Sequence, residues 1–218
     1  MKALVAGATG KTGYRIVKEL VAQGIPVRAL VRDADKAKAL LPLEAEVVVG
    51  DVLKPESLQS ALDGCTVLLS ATGAAPSFNL TGPYSVDFVG NKNLVEAAKA
   101  KGIEQFVMVS SLCVSKLLHP LNLFWLILVW KKQAEQYLQQ SGLSYTIVRP
   151  GGLKEEDSDD KVVMEGVDSL FEGSLPRTKV AQVCVAALRD AAAKNKVVEI
   201  VARPDAPART MDELFATV

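Results

Sequence analysis

The chain has a single histidine, His119, and only three cysteines, Cys65, Cys113 and Cys184, among 218 residues. One imidazole excludes any site built from two or more histidines. The cysteines lie far apart with no metal-ligand spacing, so each reads as a small buried hydrophobe in a reducing compartment. No metal is expected. A surplus of charge is missing too: 25 Lys and Arg stand against 25 Asp and Glu, which gives no electrostatic footprint for nucleic acid. Long apolar runs are absent. The unbroken run Leu123 to Trp130 has eight residues, far short of the roughly 20 that span a bilayer. The opening "MKALVAG" leads straight into a strand and lacks the apolar region and cleavage site of a signal peptide. A soluble, cytoplasmic protein is expected, with peripheral membrane contact left open.

What is present is a regular alternation. Strand-length apolar runs, "KALVA", "PVRALV", "EVVVG", "TVLLSA", "QFVMVSS", "SYTIVRP" and "VVEIVA", are separated by amphipathic helical segments. Near-continuous β-branched runs indicate strands buried on both faces, and their alternation with helices indicates βαβ crossovers. The expected fold is α/β: one domain over residues 1–218 with a doubly wound parallel sheet of the Rossmann type. The expected strand order is 3-2-1-4-5-6-7, with a short C-terminal extension on the substrate side. The stretch 154–173, "KEEDSDDKVVMEGVDSLFEG", is the least patterned and reads as a solvated loop.

"VAGATGKTGYRIVKEL" sets Gly7, Gly10 and Gly13 between the first strand and an amphipathic helix. Glycines there allow a tight turn and close backbone approach, and a pyrophosphate meets the positive end of the helix. The candidate cradle is Gly7, Thr9, Gly10, Lys11, Thr12 and Gly13. At the end of the second strand, where an acid would favour NAD by accepting from the ribose 2′-hydroxyl, stands Arg32. A guanidinium can pair with a 2′-phosphate and stack on adenine, so NADP(H) is expected over NAD(H). The competing reading makes Arg32 an ordinary surface arginine beside Asp33. Asp51 and Val52 follow the third strand at the adenine side, and Ala71, Thr72 and Gly73 end the fourth beside the crevice.

"GATGKTG", "VRD", "VVVGDV", "VDFVGNKNLVEAAKAKG", "VMVSS" and "SYTIVRPGGL" together resemble the atypical, NmrA-like short-chain dehydrogenase/reductases. "LFWLILVWKKQAEQYLQQSGLSYTIVRPGGL" is similar to a cyanobacterial and plastid group that includes the NADP-binding domain of a chloroplast inner-envelope import subunit. A more distant resemblance is to the flavin reductase that also reduces biliverdin. The resemblance implies a catalytic serine at Ser110 or Ser111 and a ribose-binding lysine at Lys131, placed by Glu135 four residues later. The family's catalytic tyrosine then falls on Ile127, which has no proton to give. Neither Tyr84, Tyr137 nor Tyr145 is an evident substitute.

Hydride transfer can proceed without a side-chain acid when the acceptor is a flavin, a quinone or another conjugated molecule that takes its proton from water. A reductase of such an acceptor is therefore one expectation, with Pro150, Gly151 and Gly152 turning toward the nicotinamide. The alternative is a non-catalytic NADP(H)-binding redox sensor. With either, Leu123 to Trp130 is a candidate docking surface for a subunit, a partner protein or a membrane. The oligomeric state is not legible.

Overall fold

The short apolar runs become strands that lie side by side in one sheet. The computed structural model describes residues 1–74, 81–123 and 125–218. In chain order its elements are β1 (Ala3–Ala6), α1 (Lys11–Ala22), β2 (Val27–Val31), α2 (Ala34–Leu40), β3 (Glu46–Val49), α3 (Pro55–Ala61) and β4 (Val67–Ser70). A π-helix, Pro83–Gly90, runs into α4 (Asn91–Lys101), followed by β5 (Gln105–Val109) and α5 (Ile127–Gln139). The remainder is β6 (Tyr145–Pro150), β7 (Gly152–Lys154), β8 (Lys161–Glu165), β9 (Ser174–Pro176), α6 (Arg177–Ala186), β10 (Lys196–Arg203) and α7 (Met211–Ala216).

The main sheet has the order β3-β2-β1-β4-β5-β6-β10-β8. All neighbours are parallel except the last pair, in which β8 runs antiparallel to β10. β1 sits centrally, with Ala3 opposite Val27 on one side and Val67 on the other. Its residues alternate between two hydrophobic layers, as strand geometry requires. Ala3 and Val5 meet α1 and α6 through Ile16, Leu20, Val180 and Cys184. Leu4 and Ala6 meet α3, α4 and α5 through Leu58, Leu94 and Leu138. All three cysteines are buried as small apolar groups, and burial pushes the Cys184 thiol up to about 12.

One expectation needs correction. The stretch 154–173 is not a plain loop, because it contains β8, and the main sheet thereby gains an eighth, antiparallel edge strand. Only Met164 of that strand points fully into the core, so the apolar signal is one residue set among charges. β7 and β9 form a separate two-stranded parallel sheet flanking the same region. The run Leu123 to Trp130 divides: Leu123, Trp125 and Leu126 are exposed, and Ile127 to Trp130 are buried or half-buried. Trp125 and Leu126 take left-handed backbone angles, φ 59° and 57°, and the helix begins only at Ile127. Leu123 is 83% exposed, Trp125 43% and Leu126 45%; Phe124 lies outside the described residues.

Candidate dinucleotide-binding site

A crevice of about 460 Å³ opens where the carboxyl ends of β1, β2, β3 and β4 meet the start of α1. This is the switch point of the sheet, where ligands of open α/β folds bind. The glycines that shape it are fixed by contact distances. Gly7 has φ 77°, and a Cβ there would meet the Ala71 carbonyl oxygen at 2.7 Å. A Cβ on Gly13 would stand 2.1 Å from the Gly7 carbonyl oxygen, so α1 can lie on the loop only if that residue is glycine. Gly10 starts α1 with no side-chain cap, and the first turn holds no acid. The initial helix amides, at Lys11, Thr12 and Gly13, are thus left without an internal partner at the positive end of the dipole. That cradle fits a pyrophosphate.

Thr9 and Arg32 are both exposed and line the crevice. Asp33 does not compete for Arg32, because its carboxylate caps α2 by accepting from the Lys36 amide at 3.0 Å. Arg32 has no ion-pair partner among the described residues. Asp51 also lines the crevice, half-buried, with one carboxylate oxygen accepting the Leu53 amide at 2.9 Å; the other oxygen remains for a ligand donor. Val52 forms part of the wall and closes against Gly90, where a Cβ would meet its side chain at 2.8 Å. Ala71, Thr72 and Gly73 present backbone. The Thr72 hydroxyl is turned inward to Ser70 and Asn91. Lys11 is drawn out of the cradle to Glu155, 2.8 Å away.

Past the end of β5, outside the crevice lining, Ser110 and Ser111 separate. Ser110 is buried, and its hydroxyl donates to Glu135 at 2.6 Å. Glu135 also accepts two bonds from Arg149, at 3.0 and 2.7 Å, and Arg149 reaches Glu199 at 3.1 Å. Glu199 is the register partner of Arg149 across β6 and β10, and it accepts the amides of Asp168, Ser169 and Leu170. Burial by itself would depress the Arg149 guanidinium. The bonds and charges of Glu135, Glu199 and Asp168 outweigh burial and hold it above its ordinary value. Ser110 is thereby committed to the protein's interior. Ser111 is half-exposed and its hydroxyl has no partner among the described residues.

Lys131 stands on α5 with its ammonium 2.8 Å from Asp87. Ile127, one turn earlier on the same face, packs with Leu112, Leu128 and Val201, so the tyrosine position is filled by core. The other tyrosines are also turned away: Tyr137 donates to Glu96 at 2.8 Å, and Tyr84 packs edge-on against Trp130 at 4.9 Å. His119 is a loop residue whose Nδ1 accepts the Leu121 amide. In the Pro150–Gly152 turn, a Cβ on Gly151 would meet the Gly173 carbonyl oxygen at 2.5 Å, and both glycine amides are already bonded to backbone. Crossing by the chain before β9 explains Gly151.

A family model described as NAD(P)H-binding matches residues 7–191. The chain belongs to this NAD(P)-binding family. Its fold, its motifs and its relatives place it among the atypical short-chain dehydrogenase/reductases of the plastid group. An uncharacterised chloroplastic protein of Arabidopsis thaliana is 46% identical over all of this chain and 82% of its own length. TIC 62 of the same plant is 36% identical over 98% of the chain, which spans only 38% of that protein. Sanguinarine reductase of Eschscholzia californica is 30% identical, covering 93% of this chain and 89% of the enzyme. Among solved structures, a putative NAD-dependent epimerase/dehydratase from Bacillus halodurans superposes with TM-score 0.87 at 28% identity, covering both chains fully. ChuY, an anaerobillin reductase from Escherichia coli O157:H7, gives 0.79 at 26% identity, covering 96% of this chain and all of the other. No helix among the described residues is long and apolar enough to cross a membrane, and two of these relatives are named as chloroplastic.

Sequence reading missed three participants. Asp87 lies inside "VDFVGNKNLVEAAKAKG", but nothing in its spacing ties it to Lys131. Glu199 is visible as a charge in the middle of "VVEIVA", and Arg149 as one in "YTIVRP". Two opposite charges in two buried strands were the available signal that those strands pair.

Proposed function

We propose that this chain is an NADPH-dependent reductase of a small conjugated acceptor. The observation that carries the reading is a nucleotide crevice with unspent polar groups beside a catalytic end with no hydroxyl acid. Arg32, unpaired at the lip, is suited to a 2′-phosphate, which is why NADPH is preferred to NADH in this proposal. Asp51 would take the adenine amino group, and α1 would take the pyrophosphate. Lys131 would bind the nicotinamide ribose, and Ser111, rather than Ser110, would place the acceptor. When bound, the reduced nicotinamide supplies the hydride, while the chain orients both partners. Ile127 and its neighbours keep that end apolar, and protonation falls to water. Sanguinarine reductase and the anaerobillin reductase support the reductase class, and the named chloroplastic relatives support a plastid setting over a generic cytoplasm.

Purified protein with NADPH and a panel of sanguinarine, FMN and a quinone should consume NADPH, followed by its near-ultraviolet absorbance, with at least one of them. Tight NADPH binding with no turnover across the panel would favour the second reading, a redox sensor that docks to a partner. The exposed Leu123, Trp125 and Leu126 favour that reading specifically, because an apolar patch of this kind marks a contact surface.

A further inference from the structure

Three carboxylates are buried among the described residues: Asp87, Glu135 and Glu199. Two of them share Arg149. Asp87, with no exposed surface, faces the Lys131 ammonium at 2.8 Å and the Ala74 amide at 3.1 Å as its side-chain partners among the described residues. The oxygen nearest the ammonium makes no well-directed hydrogen bond. Removing a carboxylate from water costs several kcal/mol, and an apolar residue of similar size serves packing as well or better. Retention of the charge therefore points to a task beyond stability. Asp87 lies just behind the crevice wall, which Ala74 and its own neighbour Val86 line, while Lys131 stands outside that lining. Ala74 continues the β4 edge of the crevice, and a Cβ on Gly73 would come within 3.6 Å of the Asp87 oxygen. Lys131 comes from α5, and its side chain remains 16% exposed.

We propose that Asp87 is a positioning residue: it holds the Lys131 ammonium at the nicotinamide end and neutralises it. An ammonium has three donors and no acceptor. With its charge matched by Asp87, its remaining donors suit an uncharged cis-diol, the nicotinamide ribose, rather than a phosphate oxygen. The same carboxylate accepts the Ala74 amide, so one buried group ties the Lys131 ammonium to the crevice wall at Ala74. This assignment rests on the ribose-binding role of Lys131 proposed above.

The test compares two probes by isothermal titration. NADP contains the nicotinamide ribose, while adenosine 2′,5′-bisphosphate carries only the adenine half. Asp87→Asn and Lys131→Met should each weaken NADP by about tenfold, leave the bisphosphate unchanged, and show no further loss when combined. Equal weakening of both probes by Asp87→Asn would mean a merely structural role and overturn the assignment, as would unchanged NADP affinity. Should Asp87→Asn fail to fold, Lys131→Met carries the test alone, and its binding NADP as tightly as the parent overturns the proposal. Wild-type protein that binds neither probe would overturn the cofactor reading itself, a result separable from any effect confined to the variants.

Discussion

The two halves of the sheet treat polar groups in opposite ways. Around β1 to β4, they are left for a ligand: α1 starts uncapped, Arg32 is unpaired among the described residues, and Asp51 spends one oxygen on its own turn. Around β5, β6 and β10, they are consumed by one another, and Ser110, Glu135, Arg149 and Glu199 form one closed, buried network. The first half is shaped to bind. The second is a rigid mount that holds α5, and with it Lys131 and Ile127, against the strands. Ser110, one of the two candidate serines, has been absorbed into that mount.

The sharpest way to break the contrast is to open the closed half. Arg149→Met leaves Glu135 and Glu199 buried with no cation, and breaking such a pair from one side costs about 3–5 kcal/mol. Urea unfolding should show that loss. The triple variant that combines Arg149→Met with Glu135→Leu and Glu199→Val removes all three charges together and should recover most of it. A single variant as stable as the parent would mean that the network contributes nothing to the mount.

The open half was also the legible half. Gly7, Gly10, Gly13 and Arg32 signal a phosphate cradle because their chemistry is local: a turn, a helix start and one side chain at a strand end. Strand order through the seventh strand followed from the βαβ alternation. The closed half was less legible because its partners are 14 and 50 residues apart from Arg149, and pairing at that distance is decided by sheet register. β8 went unseen for a related reason. An edge strand that buries only Met164 carries almost no periodicity, and its acidic flank resembles solvated loop. The helix start after Leu126 was hidden because an apolar run does not announce a left-handed turn.

A smaller effect probes the open half directly. Arg32→Ala should weaken NADPH by about ten- to a hundredfold, since a charge-assisted guanidinium–phosphate contact is lost, and should leave NADH nearly unchanged. Because Arg32 makes no ion pair among the described residues, the melting temperature should not move. Equal loss for both nucleotides would place Arg32 at the adenine ring alone and remove the basis for NADPH preference.

The smallest predicted effect lies where the two halves touch. Glu155, just beyond β7, meets Lys11 at 2.8 Å and Arg15 at 3.3 Å on α1, and Arg177 at 2.8 Å on α6. The Lys11 hydrogen bond first, and then the charges of Arg177, Lys11 and Arg15, hold its carboxyl below the ordinary range. A depressed folded-state value means that the stabilisation is present above the unfolded carboxylate pKa of about 4.3 and is lost as pH falls through the folded value. The cluster is solvent-exposed, so its contribution is small and screened by salt. Glu155→Gln should therefore lower the melting temperature slightly at neutral pH and low ionic strength. That offset should close in about 0.5 M salt, where the Debye length is short, and again in acid once pH has fallen through the folded value. An offset that persists in acid would show that Glu155 acts through packing or backbone shape, and the strap between the halves would not be electrostatic.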